Sequence, residues 1–193
     1  MLLIDALRFH TRQPHEALHR HPLLRGLAGE GLTLAEFHHI LLAFEAYYAQ
    51  AEAVCTSVAD DVPNAPVVAW LASDLAQHRL LSLSERVDAL RIALDTPARM
   101  AGYLYTKQGS TLGGHVISKH LERSLGLIPH IDQWFFAGYG RDNGLQWKRF
   151  VDYLDAHEDT WPQEEVVDAA RQAFAAIARV CDQVYEMSRA YAA

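Results

Sequence analysis

An all-α fold, a single-domain helical bundle, is predicted by three features of this 193-residue chain. Apolar residues recur at three- and four-residue intervals almost throughout, alternation with a period of two is missing, and capping residues stand where the helical stretches begin. The length suits one domain with a real core, and two domains would be a stretch.

The elements follow in order. A first helical region covers about Leu2 to His21, with Thr11 as a possible cap and Pro14 tolerable if the helix restarts there, because a first turn needs no donor from proline. Thr33 and Glu36 form a capping box. They open a long helix whose Leu34, Phe37, Leu41, Phe44 and Tyr48 make a stripe that reads as core. After the break DVPNAP, a third helix is expected through Trp70 to about Leu94. Thr96-Pro97 caps a fourth that runs to Leu125. A loop with short helical pieces holds WFFAGYG, and Asn143 starts a helix through Trp147 and Phe150. The last begins near Thr160-Trp-Pro-Gln and buries Ala170, Ala173, Ile177, Val180, Val184 and Met187.

The totals exclude several functions. A formal charge of -7, with seventeen basic residues dispersed along the chain, argues against general nucleic-acid binding. Two cysteines, Cys55 and Cys181, are too few for a disulfide framework or a metal cluster, which points to a reducing cytoplasm. MLLIDALR lacks the basic start and cleavage site of a signal peptide, and no window approaches the roughly 20 apolar residues of a membrane span. No phosphate loop, G-x-S-x-G elbow, HExxH or C-x-x-C-H motif is present, so the corresponding nucleotide, serine-hydrolase, zinc and c-type haem chemistries lack their parts.

Three glycines interrupt the fourth helix in YTKQGSTLGGHVI, residues 105–117. Each costs roughly 0.5–1 kcal/mol against alanine inside a helix. Gly109, Gly113 and Gly114 share one helical face and let another object reach the backbone. Spacing alone reads as close helix packing, with a flat ligand as the alternative.

Taken together, three segments resemble the haem oxygenases. TRQPHEAL, residues 11–18, is similar to their proximal-histidine helix with its Thr-x-x-x-His-x-x-Leu pattern, and GSTLGGHVI looks like their distal helix. WFFAGYG followed by Gly144, Trp147 and Phe150 resembles the bacterial branch found beside bacteriophytochromes. The match spans nearly the whole chain in order. It implies the haem-oxygenase-like fold over residues 1–193, with haem b as cofactor and substrate, cleaved with O2 to biliverdin, CO and ferrous iron. His15 is then the axial ligand of the haem iron. Gly109, Gly113 and Gly114 form the distal face, with Ser110 holding distal water where the animal enzymes place an aspartate. Arg8 matches a cation that pairs with a haem propionate, and Lys148 or Arg149 offers a second contact. The chain departs from the branch at Thr106-Lys107-Gln108, where two apolar residues and a glutamate are usual. Lys107 is therefore a further candidate for a propionate, one that would rotate the ring.

The resemblance also implies an external electron donor, a ferredoxin or reductase, since no flavin or iron-sulfur motif is present. A local basic patch of Lys107, Lys119 and Lys148 is the expected dock on this acidic chain, and a bacteriophytochrome is the expected acceptor of the bilin. Two other readings stand beside this one. The same pocket would serve a haem-binding or trafficking protein without turnover. Alternatively, the Glu-x-x-His pairs Glu16/His19 and Glu36/His39, with Glu45, would serve a di-iron oxidase on the same fold, although Glu36 already has its capping role.

Overall fold

The computed structural model describes residues 1–55 and 62–192. Six α-helices carry it: α1 Leu3–His19, α2 Leu34–Ala53, α3 Val67–His78, α4 Pro97–Leu125, α5 Asn143–Asp155 and α6 Gln163–Ala192. The all-α, single-domain expectation holds, with one core built where α6 packs against α1, α2 and α4. Leu3 and Leu7 of α1, Phe37 and Leu41 of α2, and Ala170, Val180 and Val184 of α6 close that core to water.

Two helix starts form as their residues dictate. At α2 the Thr33 amide donates to Glu36 Oε2 (2.8 Å) while the Glu36 amide donates to Thr33 Oγ1 (3.2 Å), a reciprocal capping box. At α4 the Arg99 amide donates to Thr96 Oγ1, and the Thr96 hydroxyl reaches across to Glu165 of α6 (2.9 Å). Next to it, Gly102 lets the two backbones touch, since a Cβ there would lie 2.2 Å from the Val166 carbonyl oxygen. Of the glycines, the one with the tightest clearance thus stands outside the 105–117 segment.

Four expectations need correction. Helix α1 runs through Pro14 without a restart, and Thr11 is no cap: buried in mid-helix, it donates to the Leu7 carbonyl at 2.7 Å. Leu34 points outward and Phe44 is only half-buried, bordering a cavity, while Tyr48 is in the core as expected and also reaches the cavity wall. The third helix stops at His78, not near Leu94. Arg79 adopts a left-handed conformation (φ 54°) and the Leu80 amide closes on the Leu75 carbonyl. Beyond it, other elements take the backbone groups that a helix would need: Gln50 of α2 bonds the Ser84 carbonyl (2.6 Å) and the Leu90 amide (2.8 Å), and Gln183 of α6 accepts from the Asp88 amide. The break DVPNAP begins at Asp61, which lies outside the described residues.

The WFFAGYG loop is held by α3. Asp74, fully buried, accepts from the amides of Trp134 (2.7 Å) and Phe135 (2.9 Å). One turn on, Gln77 donates to Asp132 and His78 bonds the Asp132 carbonyl. Gly138 and Gly140 have φ of 57° and 61°, the region only glycine enters freely, and the chain turns there into α5. Asn143 opens α5, but its side chain reaches back to accept from the Tyr139 amide (2.8 Å).

Candidate functional site

The second half of α1, the middle of α4 and the WFFAGYG loop wall a cavity of about 570 Å3, within the usual range of about 300–1,000 Å3 for small-molecule sites. Its surface is mostly apolar: Phe44 from α2, Phe135 and Phe136 from the loop, Trp147 from α5, and Phe174 and Ile177 from α6.

On the α1 wall stand His15 and His19. Their Nε2 atoms are 3.4 Å apart, and the His15 ring meets Phe174 edge-on at 6.0 Å. Burial holds the His15 imidazole below the usual histidine range, the neighbouring His19 adds to the effect, and Glu16 only partly opposes it. The shift favours the neutral imidazole, the form in which a histidine ligates a metal.

The α4 wall explains why its glycines are there, and the three do not share one role. A Cβ on Gly113 would meet nothing within 4 Å, and one on Gly109 would meet only the Trp147 ring at 3.8 Å. These two leave a bare stretch of helix facing the cavity. Gly114 faces elsewhere, and a Cβ there would lie 2.8 Å from the Phe136 carbonyl oxygen. Close packing is the role of Gly114, and open space that of Gly109 and Gly113.

Between these glycines, Ser110 donates to the Lys107 carbonyl at 2.7 Å. That commits the hydroxyl proton, so the Tyr48 phenol, 3.2 Å away, is the donor to Ser110 Oγ. Tyr48 is fully buried, which pushes its pKa up and keeps it protonated. Thr11 Oγ1 lies 3.3 Å from the Tyr105 hydroxyl, another phenol of the cavity wall.

The cations fall differently from expectation. Lys107, 1% exposed, turns away from the cavity and pairs with Glu52 of α2 and with Asn64. It is a core ion pair, available neither to a ligand carboxylate nor to a docking patch. Arg8 is exposed and 3.6 Å from Asp5, and Lys148 pairs with Asp152 at 2.8 Å. Neither these two nor exposed Arg149 lines the cavity. Arg123 does, along with His120, whose Nε2 is buried without a hydrogen-bond partner among the described residues. Sequence reasoning missed both. The signal was there: Gly109, Gly113, Val116, His120 and Arg123 continue one helical stripe at alternating four and three spacing.

The di-iron alternative loses its carboxylates. Glu16 is exposed and bonded to Arg12, Glu36 is spent in its capping box, and Glu45 accepts from Ser82 at 2.8 Å. Among the described residues, no group of three or more His, Cys, Asp or Glu is placed to hold a metal ion.

A flat, apolar group with carboxylates at one edge fits this arrangement: a neutral imidazole on α1, helix backbone free of Cβ atoms on α4, aromatic walls and one cation, Arg123, on the lining. Comparison with known families agrees. The family model described as Heme oxygenase matches residues 1–183 of the chain. No curated protein matches it.

Proposed function

Because the chain belongs to the heme oxygenase family, a family of haem-degrading oxygenases, we propose that it cleaves haem b to biliverdin, with His15 as the axial ligand. One observation carries the reading: the His15 imidazole from α1 and the bare backbone of Gly109 and Gly113 from α4 line the same apolar cavity. When bound, haem supplies both the iron that activates O2 and the macrocycle that is opened, with release of CO and ferrous iron and with electrons from an external donor.

The chain's own residues bind, orient and hold protons. Gly109 and Gly113 present backbone without Cβ atoms to the cavity, where a planar ring and a small ligand would be admitted beside α4. Phe44, Phe135 and Trp147 exclude bulk water. Tyr48 and Ser110 place two hydroxyl oxygens at this wall, fixed by the Ser110 bond to the Lys107 carbonyl, and these would anchor ordered water where no carboxylate is present. Such water would be the group that carries protons into the cavity. Arg123 is the cation on the lining and the best-placed partner for a propionate. Contacts from Arg8 or Lys148 would require them to leave Asp5 and Asp152.

The finer assignment follows the sequence. Its WFFAGYG loop and the Trp147 and Phe150 pair favour the branch that supplies bilin to bacteriophytochromes, with a ferredoxin or reductase as electron donor in the cytoplasm. None of the helices, among the described residues, is long and apolar enough to cross a membrane.

The test is a titration of the protein with hemin, followed by ascorbate in air, with His15→Ala in parallel. Loss of the Soret band with growth of biliverdin absorbance, abolished in the variant, supports the reading. A haem spectrum that neither ascorbate nor a ferredoxin system bleaches points to a haem-holding protein.

A further inference from the structure

We propose that His15 and His19 form a two-imidazole chelate for a divalent first-row transition metal ion in the haem-free protein, and that this ion and haem exclude each other. The exclusion rests on His15 as haem ligand, as argued above, whereas the chelate itself does not.

The geometry is that of a bidentate site. The two residues stand one turn apart on the same face of α1, and their Nε2 atoms approach to 3.4 Å. Two nitrogens bound at about 2.0–2.1 Å to one tetrahedral ion lie about 3.3–3.4 Å apart. The rings now meet edge-on with centroids 4.6 Å apart, so rotation of the side chains would turn both nitrogens onto one ion, and the same i, i+4 spacing on one helix face serves zinc in other helical sites. Both rings border the cavity, which leaves the remaining coordination positions open to water. Among the described residues, the hydrogen bond made by each of these rings is to the other.

A second histidine pair has a different setting. His38 Nε2 lies 3.2 Å from His78 Nδ1, and His78 Nε2 bonds the Asp132 carbonyl at 2.8 Å, but the pair is half-buried between α2 and α3 and does not line the cavity. It ties the WFFAGYG loop to the bundle. It also provides an internal control, because a metal attracted to histidines in general would use it too.

A consequence follows for loading. The Nε2 that would take haem iron is the one that faces His19, so an ion held by the pair blocks the axial position. Divalent metal would then slow or prevent haem uptake, and haem would expel the metal.

The haem-free full-length chain, titrated with Co2+ and followed by its visible d–d bands, tests this, with Zn2+ as competitor. The expected result is one Co2+ per chain with a tetrahedral-type spectrum. His19→Gln should weaken it about tenfold or more, since one of two protein ligands is lost. His38→Gln should bind as the parent does. Hemin should release the Co2+ in proportion to haem bound. Wild-type affinity in His19→Gln, or Co2+ retained in the haem-loaded protein, overturns the proposal. Haem binding by His15→Gln and His19→Gln is read separately: undiminished binding by His15→Gln refutes the axial assignment, while the response of Co2+ to His19→Gln still decides the chelate.

Discussion

Alanine at Gly113 and alanine at Gly114 should have opposite effects, although the residues are neighbours in one helix. At Gly113 the added methyl meets nothing within 4 Å, so the haem-free fold gains helix propensity, about 0.5–1 kcal/mol. At Gly114 the methyl sits 2.8 Å from the Phe136 carbonyl oxygen, a backbone atom in a segment pinned by Asp74 through Trp134 and Phe135. Relieving such a contact needs a shift of that loop or of α4, and overpacking of this kind costs about 1–3 kcal/mol, which exceeds the propensity gain. The two variants should therefore differ by about 1–3 kcal/mol, or several degrees in Tm for a chain of this size. Urea unfolding of the haem-free proteins measures it. Haem binding should then separate them the other way, because the Gly113 methyl projects toward the cavity and the Gly114 methyl does not. If Gly114→Ala is as stable as Gly113→Ala, the division of roles among these glycines is wrong.

Three further outcomes are expected. Lys107→Ala removes the ammonium from Glu52, which keeps the Tyr103 hydroxyl, and should cost up to about 3 kcal/mol, yet leave the biliverdin isomer unchanged; a changed isomer with little loss of stability would restore Lys107 to the ligand. Tyr48→Phe should alter stability by no more than about 1 kcal/mol, because Ser110 keeps its bond to the Lys107 carbonyl, while biliverdin formation slows about tenfold; an unchanged rate excludes the phenol from proton delivery. Burial raises the Asp74 carboxyl from 3.8 to about 6, against the pull of its two amide donors. Its folded pKa lies above the unfolded one, so its contribution to stability is complete below about pH 4 and is lost as pH rises through about 6, a swing of about 3 kcal/mol that Asp74→Asn should lack. Unfolding free energies of the two proteins from pH 4 to 7 measure it, and parallel curves would refute it.

What the chain determines by itself is whatever depends on neighbours within a few residues. The period of apolar side chains made helices of α1, α2 and α4 to α6. The Thr33–Glu36 box and Thr96-Pro97 fixed two of their starts, and the two segments that meet at the cavity were legible because a histidine at a fixed offset from Thr11 and Leu18 and a Cβ-free helix face are local patterns. Only the tertiary structure decided the rest, because the deciding partner came from far along the chain. Residues 80–94 have helical spacing but lose the helix to the amides of Gln50 and Gln183. Lys107 looked like a free cation until α2 brought Glu52 to it, and a buried ammonium needs such a partner more than a surface one does. Gly114 differs from Gly113 only through the carbonyl of Phe136, which its own helix does not supply. His120 and Arg123 became cavity residues for the same reason. A stripe along α4 encloses nothing in isolation, and it became a cavity wall when α1, α6 and the WFFAGYG loop closed off the space in front of it.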